Sequence, residues 1–179
     1  MSARITPGSR RDVGLATWAF AHLAGRVSGT EPPAVFLTLG RNRRLFRGWL
    51  HFAGRMMPGG RLPRRQTEII VLRVAHLTGS EYEATQHRGL GRRAGLSDAE
   101  IDRVADGPDA DGWSHRERLL LRVTDELHAT QDLSDDTWAD LRAELDEPTC
   151  IEVLMLVGHY EMLAQTLGAL RVQPDRRRK

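Results

Sequence analysis

Helix-start signals recur along this chain at Ser80-Glu81-Tyr82-Glu83, Ser97-Asp98-Ala99-Glu100 and Ser114-His115-Arg116-Glu117, while alternating strand patterns are nearly absent. In such a box the serine oxygen accepts an amide of the first turn, and the glutamate returns to the serine's own amide. Helices are therefore expected at about 81–94, 98–105 and 115–130. Apolar spacing adds a helix over Asp12 to Val27, a short turn around Val35 to Leu39 and a helix from Arg44 to Met56. Pro63 opens a further helix that Gly79 closes, and Leu133–Leu145 and Pro148–Leu170 complete the pattern. The reading is an all-α, single domain of about seven to nine helices. A basic helical segment (1–33) precedes the main body (34–172), and a frayed basic tail from Pro174 ends the chain, with 173–179 set apart as the tail segment.

At 179 residues the chain can bury a core, and its single cysteine cannot form an intrachain disulfide, a CxxC redox centre or a cysteine-based zinc site. The formal charge of +2 hides an asymmetry, with 12 arginines against 2 acids in residues 1–66 and 9 against 19 in residues 67–147. That basic third could meet an anionic partner such as nucleic acid, or it could pair with the acidic middle. No aromatic-interleaved basic stripe or zinc-finger spacing accompanies it, which favours internal pairing over nucleic acid. No apolar run reaches the roughly 18 residues of a membrane span, and no signal-peptide core opens the chain, so a cytoplasmic protein with no membrane partner is expected.

Chemistry concentrates at Glu68, Ser80, Glu83 and His87. Positions 80, 83 and 87 share one face of the helix that begins near Ser80. The break at Thr78-Gly79 can fold the preceding helix back and bring Glu68 to them. A histidine beside two carboxylates can move a proton near neutral pH. The same residues also admit a structural reading: Ser80 with Glu83 as a capping box, and Glu83 with His87 as an ordinary i, i+4 pair. Gly89-Leu90-Gly91-Arg92-Arg93-Ala94-Gly95 approaches the dinucleotide fingerprint but has one residue too many and follows no strand. The histidines are scattered and form no HExxH or H-x-x-x-H pair, so no metal site is assigned.

The string Arg65-Gln66-Thr67-Glu68-Ile69-Ile70-Val71-Leu72-Arg73-Val74-Ala75-His76-Leu77-Thr78-Gly79-Ser80-Glu81-Tyr82-Glu83, with Gln86-His87, Arg93-Ala94-Gly95-Leu96-Ser97 and Val157-Gly158-His159-Tyr160-Glu161-Met162-Leu163-Ala164, resembles the carboxymuconolactone decarboxylase family. The resemblance spans about residues 35–172 and implies the alkylhydroperoxidase D-like helical fold. In the family's peroxidase branch a Glu is followed by a CxxC pair and a His, and here the cysteine positions fall on Ser80 and Glu83. Neither can form a thiolate or a disulfide, so the thiol peroxidase chemistry is not implied. The resemblance instead implies a decarboxylase-like lyase working without metal or organic cofactor on a small lactone or oxidised organic acid. His87 would then be the proton donor and Glu68 its orienter or a second acid. Ser80, Glu83, Arg73, His159 and Tyr160 would border or bind the substrate, with Arg73 or Arg93 holding a carboxylate. A homo-oligomer (dimer, trimer or hexamer) is also implied. The alternative reading is a non-catalytic oligomeric ligand-binding protein of the same fold.

Overall fold

In a computed structural model of the chain, residues 2–176 and 178 are described, and they form ten α-helices with no β-strand. The helices are α1 (Arg10–Val13), α2 (Leu15–Ser28), α3 (Ala34–Leu39), α4 (Arg43–Met56), α5 (Arg64–Leu77), α6 (Glu81–Arg93), α7 (Asp98–Arg103), α8 (His115–Thr130), α9 (Asp135–Glu144) and α10 (Glu147–Leu170). A single 3-10 turn, Val104–Asp106, follows α7. The helix count exceeds the expected nine because Gly14, at φ +85°, divides the first helix into α1 and α2.

Two compact units account for the chain, one built from residues 1–55 with 166–179 and the other from residues 56–165. In the first, Phe20, Phe36, Phe46 and Trp49 form a run of tilted and edge-on ring contacts. The tail expected to fray is held here: Glu31 N–H donates to the Arg176 carbonyl, Arg178 N–H to the Gly29 carbonyl, and Ala34 N–H to Asp175. Backbone groups left open by the Gly29–Pro33 turn supply these partners, which composition alone does not reveal. Arg177 and Lys179 lie outside the described residues.

The second unit carries the family-like segment from Met56 onward and is organised around α5. Pro63 fits ahead of the first turn of α5, where an amide would have no helical partner. From Thr67 to Ala75 every residue of α5 is buried, so this helix is enclosed on all sides. It packs against α6, α8 and the 3-10 turn, with Ile69, Leu72, Leu96, Ile101, Val104, Trp113 and Leu121 closing one continuous apolar cluster. At the end of α5, Gly79 takes φ +64° and lets Ser80 N–H reach the Ala75 carbonyl, which turns the chain sharply into α6. Arg65 ties α5 to two neighbours by pairing with Glu117 (2.7 Å) and Glu100 while donating to the Gly95 carbonyl.

By length and mean hydropathy one described helix, the 24-residue α10, is long and apolar enough to cross a membrane, although Glu152, His159 and Glu161 interrupt its apolar residues. Within residues 56–165 it behaves as a core helix, burying Val153, Leu156, Val157, Tyr160 and Leu163, while the Glu152 carboxylate accepts from the amides of Arg61 and Leu62.

The three expected capping boxes divide. Ser97 and Ser114 accept from Glu100 and Glu117 amides, and those glutamates return to the serines. Ser80 makes no side-chain cap, because Glu83 turns into the interior instead of back to the helix start. Ser97→Ala and Ser114→Ala should each lower stability by about 1 kcal/mol, whereas Ser80→Ala should cost well under half of that. Urea denaturation of the three variants checks this, and an equal loss at all three would contradict it.

Candidate active site

The α5–α6 hairpin brings Glu68 and His87 together. Glu68 Oε2 lies 2.7 Å from His87 Nδ1, with the carboxylate fully buried and the ring 6% exposed. When Glu68 is ionised it can only accept, so Nδ1 carries the proton and Nε2 is turned to other duty. The second Glu68 oxygen lies 2.7 Å from Arg64 Nη2, one helical turn earlier on α5. That contact has ion-pair distance but not the alignment of a hydrogen bond. The result is a short chain of charge, Arg64–Glu68–His87, running inward from a half-exposed guanidinium.

Glu83 lies one turn before His87 on α6 and is 2% exposed. Neither of its oxygens has a well-formed hydrogen bond. Burial pushes its carboxyl up to about 7; the neighbouring Ser80 hydroxyl pulls weakly the other way, and the charge of Glu161 adds to the rise. Glu161 itself bonds His128 at 2.6 Å. The site thus holds one carboxylate with cationic and hydrogen-bonding partners and one carboxyl that burial favours as the neutral acid.

Tyr160 from α10 closes over the pair, its ring edge-on to His87 at 5.2 Å between centroids. The buried hydroxyl donates to Met57 Sδ at 3.7 Å, and burial, then the charges of Glu68 and Glu83, hold it well above the usual phenol range. His159 stacks edge-on to Tyr160 from the other side at 5.1 Å, and burial lowers its imidazole to about 4. His159 is therefore neutral at physiological pH and serves as an uncharged wall of the site.

Of the residues selected from the sequence, Glu68, Glu83, His87 and Tyr160 converge, Ser80 sits half-buried at the mouth of α6, and His159 backs Tyr160. Arg73 does not join them. Its guanidinium grips Asp125 with two bonds of 2.6 and 2.9 Å and donates to the carbonyls of Val104 and Ala105. One participant was missed: Arg64, whose i, i+4 spacing to Glu68 was the available signal. A separate depression of about 200 Å³, lined among others by Leu72, His76, Arg88 and Asp102, contains none of the selected residues, and its Arg88 and Asp102 pair with each other at 2.8 Å.

A carboxyl raised from 4.5 to about 7 by folding binds its proton more tightly in the native state than in the unfolded one. Its contribution to stability is complete below pH about 4.5 and is lost as pH rises through about 7. His159 has the opposite sign: its contribution holds above about 6.5 and is lost as pH falls through about 4. Wild type should therefore lose on the order of 3 kcal/mol relative to Glu83→Gln between pH 4.5 and 8. Paired denaturation curves across that range check it, and a constant difference would show that Glu83 is not held as an acid.

Residues 43–126 match the carboxymuconolactone decarboxylase family. No curated protein matches the chain by sequence. Among solved structures, a peroxidase-related protein with an alkylhydroperoxidase AhpD core from Ralstonia eutropha JMP134 superposes with a TM-score of 0.80 at 18% identity, covering 95% of this chain and 92% of that one. A peroxidase-related protein from Silicibacter sp. TM1040 gives 0.79 at 14% identity, over 89% and 84%. A cysteine-to-alanine form of the debrominase Bmp8 bound to 2,3,4-tribromopyrrole gives 0.78 at 16% identity, over 97% and 92%. At these identities the structural likeness speaks for the fold. The chain thus has the AhpD-like helical fold, and its residues 43–126 are similar to the carboxymuconolactone decarboxylase family.

Proposed function

We propose that the protein is a cofactor-free acid–base enzyme of the lyase or decarboxylase type, acting on a small lactone or oxidised organic acid. The observation that carries this reading is the buried 2.7 Å bond between Glu68 and His87, with the unpartnered carboxyl of Glu83 one turn away. When an unsaturated lactone acid loses carbon dioxide, the C–C bond breaks and its electron pair passes into the conjugated carbonyl. A proton must then reach carbon. Glu68 fixes the His87 ring through Nδ1–H and stabilises it when it carries a second proton, so that Nε2–H can supply that proton. Neutral Glu83 can donate a hydrogen bond to the carbonyl on which charge accumulates, in a buried setting where such a bond is strong.

Sulfur chemistry has no support here. Cys150 is fully buried at the start of α10, with Sγ set against the Leu141 and Leu145 carbonyls. A cytoplasmic homo-oligomer is part of the proposal, supported by the exposed Ile151, Met155 and Met162 on α10, which offer an apolar surface for a second copy.

Carbon dioxide release from an unsaturated lactone carboxylic acid tests the reading. His87→Gln should lower turnover by about 10²- to 10⁴-fold with the helical circular dichroism spectrum intact. Wild-type turnover should fall as pH rises above about 7, where Glu83 ionises, and Glu83→Gln, which keeps a donor, should flatten that fall. Unchanged turnover in His87→Gln would remove it from the chemistry. Ligand binding without turnover in the wild type would favour the non-catalytic ligand-binding protein.

A further inference from the structure

The arginines of α5 differ in how far they are already engaged. Arg65 is tied to Glu100, Glu117 and the Gly95 carbonyl, and Arg73 to Asp125 and two more carbonyls. Arg64 has one contact among the described residues, the 2.7 Å approach of Nη2 to Glu68 Oε1, and that approach is too poorly aligned to be a hydrogen bond. Its side chain is 38% exposed where the carboxylate it meets is fully buried, so the guanidinium bridges solvent and the inner site.

We infer that Arg64 is the anion-binding residue of this site, and that the site takes a small organic acid whose carboxylate pairs with the outer edge of that guanidinium. The inference rests on the acid–base reading of the same residues and specifies its substrate class. A guanidinium has five N–H donors in a rigid fork, so one edge can stay on Glu68 while another receives a second carboxylate in parallel bonds. Electrostatics require such a residue. An acid entering beside Glu68 and Glu83 meets like charge from both whenever they are ionised, and Arg64 is the cation the site itself supplies. Through Glu68 the same arginine also touches the histidine, so seating the acid places its reactive carbon within the site instead of at the surface. Lysine, a point charge without the fork, would serve this double contact less well.

Calorimetric titration of the full chain with a butenolide carboxylic acid and its methyl ester separates this inference from the catalytic one. Wild type should bind the acid at least about tenfold more tightly than the ester. Arg64→Gln should bring the acid down to the ester's affinity, Arg64→Lys should keep part of the preference, and His87→Gln should keep it in full even where turnover is lost. Equal binding of acid and ester by wild type, an undiminished preference in Arg64→Gln, or no binding of the acid would each overturn the inference. If Arg64→Gln fails to fold, the wild-type comparison and Arg64→Lys decide: a lysine variant that matches the wild-type preference would contradict the fork. Retained preference with lost turnover in His87→Gln supports the clamp, whereas a wild type that turns over normally and shows no preference for the acid leaves the chemistry standing and removes the clamp.

Discussion

A carboxylate with no exposed surface, set in the middle of a helix enclosed on every side, is the constraint around which this unit is arranged. Removing an ion from water costs several kcal/mol, and the apolar residues that follow Glu68 on α5 offer nothing to offset it. Glu68 is accommodated because a guanidinium reaches it from the preceding turn and an imidazole meets it across the hairpin. The hairpin therefore cannot be a neutral connection. The turn at Gly79, the pitch of α6 and the burial of His87 all have to agree with the position of one carboxylate. Replacing Glu68 and His87 together by apolar residues of similar shape would make packing simpler, whereas removing one alone would leave the other buried without its partner.

Environment separates two carboxyl groups that sequence spacing presents as equivalent. Glu68 has a cation and a ring nitrogen; Glu83 has neither, and burial raises its carboxyl to about 7. The division of roles in acid–base sites follows from such contrasts. At the two positions where the family resemblance sets a cysteine pair, this chain has a hydroxyl at the helix mouth and, one turn further in, a buried carboxyl raised to about 7. The scaffold is shared, while the side chains at these two positions are not sulfurs.

The helices were legible to the extent that their ends were. α7 and α8 begin where serine and glutamate stand three residues apart, because both partners of each cap lie on the same first turn and need nothing from elsewhere. The identical spacing at Ser80 misled, since whether Glu83 faces back or inward depends on what packs over α6, which is information no local window contains. The docked tail near Asp175 and Arg176 escaped for the same reason: its partners are some 140 residues away in sequence. Arg73 and Arg64 show the limit for charged residues. Both are arginines on one helix, but only the structure reveals that Arg73 is engaged by α8 and the 3-10 turn and Arg64 by Glu68 alone.

The state of one imidazole is the most direct test. Nitrogen-15 NMR of the histidine rings, with His87 assigned through its Gln variant, reads which nitrogen bears a proton and how fast that proton leaves. A buried ring bonded to Glu68 requires a protonated Nδ1 whose proton exchanges slowly with water and is deshielded, and it requires that signal to shift in Glu68→Gln. A ring protonated only at Nε2, or one whose nitrogens exchange freely with solvent, would contradict the arrangement on which the proposed chemistry depends.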